Sequence, residues 1–316
     1  MNIARSAHAV VFEGPRRLSR RQVDLVSRGP GEVLVKTLYS GISTGTERLF
    51  YTGDMPDFPG MGYPLVPGYE TVGEVLQAAP GSGLSSGDRV FVPGANCYGN
   101  ARGLFGGASS LLLTPAHRVI PVDAKLGEDA VLFALAATAY HAVRPNPHAP
   151  LPDLIVGHGA LGRLAARVVV ALGGTPRVWE TRPERRDGAQ GYPVIDPADD
   201  SARRFATILD ASGHGASFER WIAHLAPRGE LVLAGFYTDP LSFSFVPAFL
   251  REARVRVAAQ WLPQDLEAVR TLVANGSLSL AGIVNHRAAV DEATGAYAQA
   301  FEDPACLKMV LHWRNA

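Results

Sequence analysis

Cysteine is scarce: Cys97 and Cys306 are the only two among 316 residues. Two thiols so far apart exclude a disulfide framework and a cysteine-rich zinc lobe, and they suit a reducing cytoplasm. Surplus charge is missing as well. With 30 basic and 30 acidic residues the formal net charge is zero, so neither nucleic acid nor an anionic membrane surface is expected as a partner. Spanning a bilayer takes about 20 consecutive apolar residues, and the longest mostly apolar run, AVLFALAATAYHAV at 130–143, falls short. The opening MNIARSAHAVVFEGPRRLSRR lacks the apolar core of a signal peptide. What is present is 47% hydrophobic residues, ample for filled cores, in a length that suits two domains. The expected ligand is a small molecule.

Residues 1–124 are dense in Gly and Pro and carry short strand-like runs: HAVVFEG, GEVLVKTLYSG, ETVGEVLQA, DRVFVPG and HRVIPVD. Short strands with turn signals between them predict a compact, barrel-like β unit. An Ala-rich helical run then ends near Arg144, and PNPHAPLP marks a loop, because successive prolines exclude helix and central strand. From Asp153 strand and helix alternate: DLIVG, ALGRLAARVVVALGG, PRVWE, YPVID, FATILDASG, ASFERWIAHLAPRG and GELVLAGF. That alternation predicts βαβ units and a doubly wound parallel sheet over residues 125–280, so the fold class is α/β.

GHGALG, Gly157 to Gly162, fits G-x-G-x-x-G after an apolar strand and at the opening of a helix, the context the dinucleotide fingerprint requires. Gly157 allows the tight turn, Gly159 the approach of backbone to a pyrophosphate, and Gly162 close helix–strand packing, while the helix N-terminus offers unpaired N–H groups. About twenty residues on, Glu180 ends the next strand, where a carboxylate accepts from the ribose hydroxyls and repels a 2′-phosphate. NAD is therefore expected over NADP, although Arg182, Arg185 and Arg186 leave recognition of a 2′-phosphate open. Leu161 within the fingerprint, Asp210 at the end of FATILD, and Gly235 with Phe236 after GELVLA complete the expected cofactor-binding set, together with Thr138.

The chain resembles the medium-chain dehydrogenase/reductase superfamily over nearly its whole length. The resemblance rests on SGISTGTE at 40–47, PGYETVGEV at 67–75, GDRV at 87–90, GGASSLLLTPAHRVIPV at 106–122, Thr138 with Tyr140, and GHGALG. It implies a GroES-like β-rich catalytic domain over 1–124, completed by 281–316, joined to a Rossmann domain over 125–280. In the zinc enzymes of that superfamily a cysteine follows the Gly-Ile, a histidine and glutamate follow the Pro-Gly, and a further cysteine or acid lies four residues before the helical threonine. Here those places hold Ser43 or Thr44, Tyr69 with Glu70, and Ala134. Zinc takes three or four N, S or carboxylate ligands, and only Glu70 qualifies, so no metal is expected.

Without a metal, the proton of an alcohol must leave through protein groups. Thr46 matches the relay hydroxyl of the family when the motif is aligned from Glu47. Tyr69 fills the vacated histidine position and is expected to orient the alcohol, with Glu70 or Thr46 receiving the proton and Ser43 beside them. A tyrosine acting as base near neutrality would need its pKa of about 10 lowered. Cys97 and His141 are expected to be structural and the side chain of His158 incidental.

YSGISTGTE, FYTGDMP, YPLVPGYETVG and GANCYGNARGLFGGASS together resemble dehydrogenases of bacteriochlorophyll biosynthesis. That resemblance implies a tetrapyrrole alcohol as substrate, oxidised to a ketone with NAD accepting the hydride. Phe50, Tyr51, Met55, Phe58, Tyr63, Tyr98, Phe105, Phe236, Tyr237, Phe243 and Phe245 are candidate aromatic or apolar walls for a planar macrocycle, packing in the core being the other reading. Arg48 and Arg102 are candidate carboxylate partners. REARVRVAA is a candidate for pairing across subunits, as its counterpart does in relatives. A zinc-independent quinone or enoyl reductase using NADPH, and a non-catalytic dinucleotide-binding redox sensor, remain as rival functions.

Overall fold

The computed structural model describes residues 6–202 and 204–313. The chain divides into two compact units, one running to Phe133 and resuming at Ile283, the other spanning Ala134–Gly282.

The first unit is built on the long strand Glu32–Ile42. Its first half pairs antiparallel with Leu111–Pro115 and its second half with Met309–His312, while Thr71–Gln77 runs along its other edge. Arg89–Val92 and Ile120–Pro121 extend that sheet beyond Thr71–Gln77, and His286–Ala289 extends it beyond Met309–His312. A smaller sheet joins Arg17–Asp24, Ser6–Gly14, Leu65–Val66 and Arg102–Gly103 in that order. Two apolar cores fill the unit. One collects Val11, Val33, Val35, Val75, Val90 and Leu112. The other collects Phe12, Phe50, Leu65, Tyr297, Met309 and Trp313. Each fully buried side chain of this size stabilises the fold by roughly 1.5–3 kcal/mol relative to exposure.

The stretch after SGISTGTE contains a helix, Thr46–Thr52, stopped by Gly53 at φ +84°, whose N–H closes on the Leu49 carbonyl at 3.0 Å. Among the described residues no helix is long and apolar enough to cross a membrane.

The second unit is a six-stranded parallel sheet. Its order is Val194–Ile195, Arg177–Trp179, Leu154–Val156, Phe205–Asp210, Leu225–Leu233 and Arg254–Val257, or 3-2-1-4-5-6 in chain order. This is the doubly wound order, and its central strands are apolar runs because both faces are covered. The helix expected across ASFERWIAHLAPRG is shorter than predicted: it ends at His224 and the chain is already extended from Leu225. Pro227 accounts for this, since it disfavours helix at the residue before it. His141 Nδ1 lies 2.8 Å from Asp265 Oδ2, and Asp265 also accepts from Leu262 N at 2.7 Å to cap the helix Pro263–Ala274. His141 is thus structural. Cys97 is likewise buried, its sulfur accepting from Leu113 N.

Candidate active site

The first unit gathers Ser43, Thr46, Glu47, Tyr69 and Glu70 from two neighbouring strand ends. Ser43 follows the strand Glu32–Ile42, and Thr46 and Glu47 open the helix after it. Tyr69 and Glu70 precede the strand Thr71–Gln77, and Gly41 N donates to the Glu70 carbonyl at 2.8 Å, clamping the two ends together. Gly68 makes the approach possible. Its φ is +100°, and a Cβ there would stand 2.8 Å from the Ala108 nitrogen.

The Ser43 Oγ and Tyr69 hydroxyl are 2.8 Å apart, and the Thr46 side chain bears on the same phenol. Burial pushes the Tyr69 hydroxyl well above the usual phenol range, and the charge of Glu70 adds to the shift, against the opposing bonds of Ser43 and Thr46. Tyr69 is therefore a neutral phenol. A phenol that holds its proton can donate a hydrogen bond and is not poised as a base.

Glu70 is fully buried and both its oxygens accept from Lys308 Nζ, at 2.8 and 2.7 Å. Lys308 is itself only 3% exposed and donates also to the Ile42 carbonyl at 3.2 Å. The expectation that Glu70 receives the substrate proton is corrected: the carboxylate is enclosed and held as the structural acceptor of a buried ion pair. Gly41 makes room for it, since a Cβ at that position would stand 2.1 Å from Glu70 Oε2.

Glu47, anticipated only as an alignment anchor, is fully buried as well. It accepts from Ser43 N at 3.2 Å and from the Tyr297 hydroxyl at 2.9 Å. Burial, reinforced by the negative charge of Glu70, pushes its carboxyl up to about 8, so at neutral pH it holds its proton. Lys308 Nζ is bonded to Glu70 and not to Glu47, whose partners are Ser43 N and the Tyr297 hydroxyl. Among the described residues, no three His, Cys, Asp or Glu side chains converge as a metal site.

In the second unit the fingerprint residues come together at the C-terminal end of the strand Leu154–Val156. Gly157 turns at φ +94°, and a Cβ on Gly162 would stand 1.9 Å from the Gly157 oxygen, so only glycine lets the helix Ala160–Ala171 lie so close. Above Gly159 the space is open, its nearest neighbour being Arg185 Nη1 at 3.9 Å from a would-be Cβ. That combination of a closed turn and an open approach fits a pyrophosphate on the helix N-terminus. Leu161 lies in the first turn of the helix. Glu180 accepts from His158 N and Arg182 N, both at 2.9 Å, which fixes the carboxylate beside the glycine turn.

The side chain of His158 is not incidental. It is fully buried, bonded to the Arg185 carbonyl at 2.6 Å and the Tyr192 hydroxyl at 3.0 Å, and burial pushes its pKa down to about 4. This neutral imidazole pins the glycine turn to the following loop, as does Arg163, which donates to the His158 and Arg185 carbonyls. Arg186 is engaged by the Glu180 and Thr181 carbonyls and by Asp196. Asp210, expected among the cofactor ligands, accepts from Ser212, Gly213 N and the Tyr237 hydroxyl, so its carboxylate shapes the next turn. Gly235 N donates to the Asp210 carbonyl, and Phe236 beside it is 46% exposed. The Thr138 hydroxyl donates to the Ala134 carbonyl one helical turn back.

Of the candidate aromatics, Phe50 and Tyr98 are core residues, and Tyr51, Tyr63, Met55, Phe58 and Phe105 pack partly against a core. Phe243 and Phe245 stay exposed.

A β-rich unit whose sheet is closed by the chain end, and a 3-2-1-4-5-6 parallel sheet carrying a dinucleotide turn, define a two-domain alcohol-dehydrogenase-type oxidoreductase. Residues 29–124 match the family model "Alcohol dehydrogenase GroES-like domain". The chain belongs to the medium-chain dehydrogenase/reductase superfamily. It is 55% identical over 97% of its length to 2-desacetyl-2-hydroxyethyl bacteriochlorophyllide A dehydrogenase of Cereibacter sphaeroides, covering 98% of that protein. The same enzyme of Rhodobacter capsulatus is 56% identical over 97% of this chain and 98% of its own. In fold, the chain is similar to 2R,3R-butanediol dehydrogenase from Bacillus subtilis, with a TM-score of 0.84 at 20% identity, covering 98% of this chain and 100% of that one.

Proposed function

We propose that the protein oxidises the 3-(1-hydroxyethyl) side chain of a bacteriochlorophyllide to 3-acetyl, without zinc and with NAD as cofactor, in bacteriochlorophyll a biosynthesis. The observation that carries this reading is the Ser43–Tyr69 hydroxyl pair, 2.8 Å apart, with Tyr69 at the motif position where the family resemblance implies a zinc-binding histidine. The similarity to the two bacteriochlorophyllide dehydrogenases supports the substrate class.

Gly157, Gly159, Gly162 and Glu180 would hold NAD, which when bound would supply the hydride acceptor. The protein supplies the rest. The neutral Tyr69 phenol donates a hydrogen bond to the substrate oxygen and stabilises the charge that develops there. Ser43 and Thr46 hold that phenol in place and pass the hydroxyl proton outward to water. Glu70 is left out of this relay, because both its oxygens are engaged by Lys308 away from the Ser43–Tyr69 pair. Closure of the Rossmann sheet's terminal strand, Arg254–Val257, against a second copy is the proposed mode of self-association; Val255 and Val257 are 44% and 74% exposed on it.

Chelator-treated protein, incubated anaerobically with NAD and 3-(1-hydroxyethyl) bacteriochlorophyllide a, is expected to shift the long-wavelength pigment band to the red as NADH forms, because the new carbonyl conjugates with the ring. An unchanged spectrum with NAD demonstrably bound would reject the substrate. Turnover only after zinc is restored would reject the metal-free mechanism.

A further inference from the structure

Tyr69 begins an aromatic row that leaves the core. Its ring meets Phe105 edge-on at 5.4 Å between centroids; Phe105 meets Phe58 at 6.4 Å and Phe50 at 6.3 Å. Phe50 is fully buried, whereas Phe58 and Phe105 are half-buried, so the row runs from the interior to the surface. Where it emerges, Met55, Pro56, Asp57, Phe58, Pro59 and Met61 surround a depression of about 420 Å³, within the size range of small-molecule sites.

At the edge of this shelf stands Arg102. It lies three residues before Phe105, so their Cα atoms are at most about 11 Å apart, and its strand pairs with Leu65, in the segment that leads to Tyr69. Its guanidinium rests on Gly62, where a Cβ would stand 2.6 Å from Nε and 3.0 Å from Cζ. The side chain is exposed and, among the described residues, forms no ion pair. A planar guanidinium without a partner, next to an apolar aromatic shelf, is complementary to a flat hydrophobic molecule that carries one carboxylate.

Resting on the tetrapyrrole reading above, we infer that Arg102 is a specificity-determining residue that recognises the free propionate of the macrocycle, while Phe58 and Phe105 support the ring plane. Asp57, on the wall of the depression, disfavours a carboxylate there, so the charges of the loop select one orientation of the ring. The site therefore prefers the free acid to the esterified pigment.

The test is a titration of the full chain, without cofactor, followed by pigment absorbance, using the free acid and its propionate methyl ester. Wild type is expected to bind the acid about three- to tenfold more tightly. Arg102→Ala should weaken the acid to the level of the ester and leave the ester unchanged, Arg102→Glu should invert the preference, and Arg102→Lys should keep part of it. Equal affinities in wild type, or an Arg102→Ala variant that weakens both pigments alike, would overturn the inference. Acid-selective binding in this titration, with no NADH formed when NAD is then added, would instead refute the proposed reaction and leave the Arg102 subsite standing.

Discussion

Lys308 Nζ lies 2.7 and 2.8 Å from the two oxygens of Glu70, a residue 238 positions earlier, with both side chains removed from solvent. The strand Met309–His312 makes the contact possible, since Met309 pairs with Ile42 and delivers the preceding lysine to the Ile42 carbonyl.

Breaking that pair leaves one buried charge uncompensated. Lys308→Met is expected to lose about 3–5 kcal/mol of stability in chemical denaturation. Adding Glu70→Gln to the same chain should recover a large part of it, because the two groups are coupled. Additive losses would mean that they act independently.

Tyr69→Phe keeps the ring against Phe105 and deletes only the hydroxyl. Turnover should fall about ten- to a hundredfold, with NAD affinity unchanged by fluorescence titration. A near-normal rate would remove Tyr69 from the chemistry.

The carboxyl of Glu47 sits at about 8 in the folded protein, above its ordinary 4.5. Between those values the folded state keeps a proton that the unfolded chain has released. The stabilisation is complete below the lower value and lost as pH rises through about 8. The melting temperature of wild type should therefore drop between about pH 5 and 8 more steeply than that of Glu47→Gln, whose amide cannot ionise, and the two curves should run parallel above that range. Curves parallel throughout would contradict the assignment.

Two glycines of the fingerprint should fail differently. Gly162→Ala places a Cβ 1.9 Å from the Gly157 oxygen and should lower the melting temperature markedly. Gly159→Ala meets open space and an ordinary backbone φ of −75°, so the fold should persist while NAD binding is lost. Calorimetric titration beside thermal melts separates the two effects.

The parallel sheet was legible because its central strands are apolar runs followed by turns, and the dinucleotide turn because its three glycines each meet a distinct steric demand. Ser43 and Tyr69 could be named because the motif sets them at or beside positions where metal ligands stand in relatives, and Thr46 because it matches the relay hydroxyl. Lys308 and Tyr297 could not, since they reach the site through long-range strand and helix packing that leaves no local spacing to read. The available signal was a lysine set directly before the apolar run MVLHW. The role of His158 was hidden for a similar reason: its partners, Arg185 and Tyr192, lie beyond the next strand.

Because Glu70 waits for a lysine 238 residues downstream, the catalytic unit cannot be completed in the order in which it is made. At about 5–20 residues per second, a ribosome needs on the order of ten to fifty seconds between the two. Throughout that interval Glu70 lacks its lysine partner, because Lys308 has not yet been made. The dinucleotide-binding unit, encoded between them, has time to fold before the active site closes.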